Sequence, residues 1–211
     1  GALNPRGIIL SGGPDSVHRK GSPRPCPEIF QMGLPILGIC YGMQLLVDLH
    51  GGKVAPAAKR EYGHAELEIH EPGLLFGGLG PKMNVWMSHG DGAGSLGNGF
   101  AVLARTGTAP YAAIADPGKG LYGVQFHPEV VHTPEGARIL ENFARKICRF
   151  GERWTMSALL DRAVSEIRAQ VGEGQVVCAL SGGVDSSVAA ALIHRAIGKR
   201  LHCIFVDTGL L

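Results

Sequence analysis

Residues 34–52 read LPILGICYGMQLLVDLHGG, and this stretch restricts the fold more than any other. LPILGIC has the length and apolar content of a buried strand. YGMQLLVDLH then carries apolar residues at helical spacing, and Gly51 and Gly52 end it. A strand that passes into a helix without an intervening loop belongs to an α/β arrangement. Cys40 stands at the joint, between Gly38 and Gly42. Such a turn needs small neighbours and lifts its central side chain out of the sheet, and the helix N-terminus beyond it favours a thiolate. A buried packing cysteine is the alternative. It is the better reading for Cys178 and Cys203 in strand-like runs, for Cys148 late in a helical run and for Cys26 in a Pro-rich loop. The elbow context reverses it for Cys40 alone.

A nucleophilic thiol needs a base, and the base needs an orienting group. YGVQFHPEV, residues 122–130, offers both: His127 and Glu129 lie two apart at the end of a strand-like run. Period-two geometry puts them on one side, where the carboxylate can hold the imidazole. In isolation HPE reads as a solvated strand end; beside the elbow it completes a Cys40, His127, Glu129 triad. LSGGPDS, residues 10–16, follows the short apolar run GIIL. Read alone it is a turn. Beside a nucleophile, the N–H groups of Gly12 and Gly13, with that of Tyr41, can receive an oxyanion, while Pro14 holds the loop in shape.

A second heptad, LSGGVDS at residues 180–186 with Ser187 after it, resembles the first closely enough to suggest a repeat. Its surroundings differ. The first is followed by a Pro-rich stretch, residues 22–27, whereas the second lies between QVVCAL and the helical SVAAALIHRAIG, closed by Gly198. We therefore read one as a loop and the other as a strand–loop–helix joint that presents backbone N–H groups to phosphate. The lysine of GxxxxGK[ST] is missing, which excludes a Walker A loop; a Ser/Gly turn capping a helix is the plain alternative. Between the heptads, strands are expected around residues 65–69, 84–87, 100–104, 112–115 and 121–126. A helix is expected over 134–148 with Thr133 as N-cap. This pattern predicts a mixed sheet flanked by helices. After a charged connector at 149–153, the amphipathic TMSALLDRAVSEIRAQVG opens a second α/β domain with a final strand at 201–206, so the boundary is placed near residue 150.

Composition sets the remaining bounds. With 45% hydrophobic residues, 18% charged residues and a formal net charge of +2, nothing calls for nucleic acid or a membrane as partner. Five cysteines without CxxC spacing argue against a disulfide framework and a zinc site, and for a cytoplasmic protein. The chain begins with Gly and reaches its first strand-like run within a few residues, so we expect a fragment.

In this order SGGP, GICYGMQ, WMSHGD and YGVQFHPEV resemble the class I, triad-type glutamine amidotransferase family over residues 1–150. The resemblance implies that the thiolate attacks the side-chain amide of glutamine, histidine protonates the departing ammonia and water hydrolyses a thioester. It also implies that Gln44 and the backbone around Ser88 and His89 hold the glutamine. SGGVDSS resembles the pyrophosphate loop of ATP pyrophosphatases, of the adenine nucleotide alpha hydrolase-like fold. Ser181, Gly182, Gly183, Val184, Asp185, Ser186 and Ser187 would surround the pyrophosphate of ATP, with Asp185 near Mg²⁺. The combination, with REYGHAE and the VDTGLL ending, is similar to the GMP synthetase family. That implies glutamine, XMP and ATP as substrates, GMP, AMP, pyrophosphate and glutamate as products, and a homodimer. It further implies strands missing ahead of SGGP and most of the second domain missing beyond VDTGLL. Two other readings stay open: another triad-type glutaminase or cysteine hydrolase, with no role for SGGVDSS, and a non-catalytic nucleotide-binding module with an inert Cys40.

Overall fold

The computed structural model describes residues 4–151 and 156–205. The end of the expected connector, residues 152–153, Trp154, Thr155 and the whole of VDTGLL lie outside the described residues. The chain divides into two compact units, Gly1–Gly151 and Glu152–Leu211.

The first unit is built on a seven-stranded sheet. Its elements are β1 (Ile8–Leu10), β2 (Ile36–Ile39), α1 (Tyr41–Leu49), β3 (Lys53–Ile69), β4 (Lys82–Ser95), β5 (Ala101–Arg105), β6 (Ala113–Asp116), β7 (Leu121–Val124) and α2 (Gly136–Asn142). Across the sheet the order is β1-β2-β7-β6-β5-β3-β4. β1, β2 and β7 run parallel, and every later pairing is antiparallel, as the mixed pattern predicts. β2, β6 and β7 are buried along their whole length. They lie in the sheet's interior, which is why they read as continuous apolar runs without alternation. Leu37, Val124, Phe126 and Ile139 join the main core on one side, and Met43, Val47 and Ile114 form a second cluster with α1.

Two expectations are corrected. The strands expected at 65–69 and 84–87 are parts of one long hairpin, in which β3 has 17 residues and β4 has 14. The hairpin register shifts between Pro56 and Glu61, so the period-two alternation of burial that β3 shows over Glu61–Leu67 and β4 over Lys82–His89 does not run in one phase along the whole hairpin. The helix expected over 134–148 is shorter: α2 passes into a π-helical turn, Phe143–Ile147. Thr133 does not cap it. Glu135 occupies the cap position without a side-chain cap, and the Thr133 hydroxyl is committed elsewhere.

The second unit contains α3 (Met156–Val171), β8 (Val176–Leu180), α4 (Val184–Ile197) and β9 (Leu201–Phe205). β8 and β9 pair in parallel, with Cys178 opposite Cys203. Val164, Ala196 and Ile197 form its core, packed by Ile167, Val176, Ile193 and Leu201. Val177, Ala179 and Ile204 share the other sheet face and are exposed. The heptads differ as their flanks predict: the second runs directly into α4, while the first is followed by turns and a short 3₁₀ segment, Pro27–Gln31.

Candidate active site

Cys40 follows β2 directly and stands in the cap position of α1, with φ 51° and ψ −108°. A non-glycine residue rarely adopts this left-handed backbone, and it is held here at both ends. Its N–H donates to the Val124 carbonyl at 2.8 Å, and its carbonyl accepts from the Gln44 N–H at 3.1 Å. The flanking glycines are required by close approach. A Cβ on Gly38 would lie 2.5 Å from the Gly42 backbone, and one on Gly42 would lie 2.0 Å from the Leu10 carbonyl oxygen. Helix α1 can leave the nucleophile at this angle only because both positions lack a side chain.

His127 follows β7, the strand beside β2, and so reaches the same edge of the sheet as Cys40. Its Nδ1 bonds Glu129 Oε1 at 2.7 Å, which leaves Nε2 for the sulfur. The backbone is fixed as well: the His127 N–H donates to the Trp86 carbonyl at 3.0 Å, and the His127 carbonyl accepts from Thr133 Oγ1 at 2.6 Å. Thr133 Oγ1 also accepts from the Trp86 N–H, so one hydroxyl ties β4 to the histidine. The imidazole pKa is pushed up to about 9, chiefly by its hydrogen bond to the Cys40 sulfur; burial opposes the rise and Glu129 adds to it. The ring is therefore an imidazolium at neutral pH.

Gly12 lies against this pair. A Cβ there would come 2.9 Å from His127 Cε1 and 3.6 Å from Cys40 Cβ. Gly13 instead lines a cleft of about 640 Å³ together with Cys40, Gln44, Ser88, His89 and His127. Tyr41 is the first residue of α1, so its N–H lies in the turn that has no intrahelical acceptor. The three candidate oxyanion residues thus border the nucleophile.

The glutamine-binding candidates divide. Gln44 is buried, with Nε2 donating to the Asp91 carbonyl at 2.7 Å. The Ser88 carbonyl lies 3.7 Å from Cys40 Sγ. The His89 ring, however, is spent on the hairpin: Nδ1 bonds the Asp91 carbonyl and Nε2 bonds Glu61 Oε2 at 3.0 Å, while Thr106 Oγ1 donates to the other Glu61 oxygen. Both ring nitrogens have protein partners, so only the backbone of His89 is free to meet a ligand. Sequence reasoning missed Gln125, whose Nε2 approaches Cys40 Sγ at 3.7 Å. The signal was available, because Gln125 precedes His127 by two residues and period two places them together. Glu61, Asp91 and Thr133 gave no such signal, since their partners are distant in sequence.

In the second unit, Gly182 has φ 81° and Gly183 caps α4 with extended backbone. Ser186 and Ser187 donate to the Gly183 carbonyl at 3.0 and 2.9 Å, and the Ser181 and Ser186 hydroxyls lie 3.2 Å apart. Val184 and Asp185 are exposed in the first turn of α4. Among the described residues no group of three or more His, Cys, Asp or Glu side chains could hold a metal. Asp185 offers a single exposed carboxylate in the first turn of α4. No helix among the described residues is long and apolar enough to cross a membrane.

The family model for class-I glutamine amidotransferases matches residues 1–147, and a model described as the HUP domain of tRNA methyl transferases matches residues 174–209. A glutamine-hydrolysing GMP synthase of Elusimicrobium minutum is 53% identical over 211 residues, which is 100% of this chain and 41% of the relative. The corresponding protein of Carboxydothermus hydrogenoformans is 55% identical over 208 residues, covering 99% of this chain and 41% of the relative. This chain thus spans about two fifths of the length of the curated relatives it matches. Among solved structures, a Thermoplasma acidophilum protein provisionally assigned as one component of a GMP synthase is similar at 30% identity and TM-score 0.59, over 68% of this chain and 73% of that one.

Proposed function

Because the chain belongs to the class-I glutamine amidotransferase family, we propose that it is the ammonia-producing part of a glutamine-hydrolysing GMP synthase, joined to the beginning of the ATP-using part. One observation carries the reading: Cys40 and His127 arrive from neighbouring parallel strands at one sheet edge, with Glu129 on the far side of the imidazole. The Cys40 thiolate attacks the side-chain carbonyl carbon of glutamine. The Tyr41 N–H, with those of Gly12 and Gly13, receives the oxyanion. The His127 imidazolium gives its proton to the departing nitrogen, and ammonia leaves. Now neutral, His127 takes a proton from water, which attacks the thioester carbon; sulfur leaves, and glutamate is released. Gln44 and the backbone at Ser88 and His89 hold the substrate.

In the second unit, assigned as the start of an ATP pyrophosphatase domain, the loop from Ser181 to Ser187 holds the pyrophosphate of ATP at the N-terminus of α4. Asp185 would hold Mg²⁺, which supplies charge neutralisation at those phosphates. XMP activated by adenylylation then takes up the ammonia, giving GMP and AMP. The overall reaction is proposed from the likeness to GMP synthases, and a cytoplasmic location and a homodimeric state are proposed with it.

Two variants of a full-length enzyme that contains this chain test the division of labour, each assayed for GMP formation with glutamine and with free ammonia. Cys40→Ala is expected to abolish the glutamine reaction and spare the ammonia reaction. Asp185→Ala is expected to damage both. Loss of the ammonia reaction in a folded Cys40→Ala protein would contradict the reading.

A further inference from the structure

Gln125 belongs to neither the triad nor the substrate contacts assigned above, yet it is 1% exposed and touches the nucleophile. Its direction is imposed from a distance. The Asp91 carbonyl can only accept, and both its lone pairs are taken, by Gln44 Nε2 at 2.7 Å and His89 Nδ1 at 2.9 Å. The Gln44 nitrogen is thereby fixed, and it also lies 3.4 Å from Gln125 Oε1. Gln125 must meet that nitrogen with its oxygen, so its own Nε2 is turned to Cys40 Sγ at 3.7 Å. Against the same sulfur stands the Ser88 carbonyl oxygen, also at 3.7 Å. That oxygen suits a thiol, which can donate to it, and opposes a thiolate; an N–H donor does the reverse.

We infer that Gln125 is a positioning residue: aligned by the Asp91 carbonyl through Gln44, it keeps an N–H donor on the Cys40 sulfur, favours the thiolate against the Ser88 carbonyl and aims the sulfur into the cleft. This rests on Cys40 being the nucleophile and adds a group that the triad lacks. Gln125→Glu isolates the effect, because the new carboxylate still accepts from Gln44 while the sulfur loses its donor and meets a negative charge.

The test follows alkylation of Cys40 by iodoacetamide against pH in the full chain, read by peptide mapping, beside the kinetics of glutamine hydrolysis. Gln125→Glu is expected to move the alkylation midpoint up by about one pH unit and to slow alkylation at neutral pH about tenfold. The kcat for glutamine is expected to fall in parallel, while KM changes by less than about twofold, since the substrate contacts remain. Gln125→Met, which removes the donor without adding charge, shifts the midpoint in the same direction by less. A superimposable pH profile for Gln125→Glu would overturn the inference. A measurement on the unaltered protein guards against misfolded variants: the Gln125 side-chain amide resonances are expected to move when Cys40 is alkylated, and stationary resonances count against the assignment. Failure of the unaltered protein to hydrolyse glutamine would sink the underlying reading as well, whereas normal hydrolysis with an indifferent Gln125 sinks only this one.

Discussion

At the scale of single residues, the His127 proton is the quantity to follow. Its pKa of about 9 lies well above the ordinary histidine value of 6.5, and the Cys40 sulfur is the first cause. A raised histidine pKa means that the folded state holds the charged form more tightly. Its contribution to stability is complete below pH 6.5 and is lost as the pH rises through 9. In Cys40→Ala the His127 midpoint, followed by NMR, is expected to fall back toward the ordinary value. A midpoint that stayed near 9 would transfer the cause to Glu129, whose side chain is 45% exposed and therefore screened by water. For the unaltered protein, glutamine hydrolysis is expected to decline as the pH passes 9, where the proton needed by the departing nitrogen is gone. The glycines of the elbow make a separate prediction. In Gly42→Ala the methyl group meets backbone rather than a flexible side chain. The loss of stability in urea denaturation is expected to be roughly 3 kcal/mol, at the upper end for overpacking. A loss below about 1 kcal/mol would mean that β1 can move away from the helix.

Elements differ in how much of them the sequence disclosed, and the reason is range. The elbow, the parallel strands and the strand–loop–helix of the second heptad are local or continuous patterns, and each is found where its pattern predicts. The hairpin was underestimated, because the register shift between Pro56 and Glu61 interrupts the alternation that would have marked it as one pair of strands. Thr133 was misjudged for the same kind of reason: a threonine ahead of a helix reads as a cap, but its hydroxyl is used by Trp86, 47 positions away. That use is testable. Thr133→Val keeps the shape, removes two hydrogen bonds and leaves the Trp86 N–H unpaired, with an expected cost of about 2 kcal/mol. Glutamine kcat should fall too, because the His127 backbone loses one of its two anchors, and Thr133→Ser should restore most of both. Full activity in Thr133→Val would show that the Trp86 bond suffices to place the histidine.

For the molecule as a whole, the two units call for different expectations. The first closes its sheet around a core that includes Phe76 and Phe126, both fully buried. The second leaves Val177 65% and Ile204 53% exposed on one face of a two-stranded sheet. Residues 152–211 produced separately are therefore expected to self-associate, and Val177→Lys with Ile204→Glu to suppress this in sedimentation experiments. Association that ignored the double change would place the sticky surface elsewhere. The first unit has a different consequence, in the time domain. Cys40 and His127 follow adjoining strands, which are joined where the Cys40 N–H meets the Val124 carbonyl. Moving the two backbones apart thus means opening the interior of a buried sheet, an event as rare as unfolding of the core itself. The Cys40 amide is expected to exchange its hydrogen among the slowest in the chain, and the reactive pair to be already assembled at every encounter with substrate.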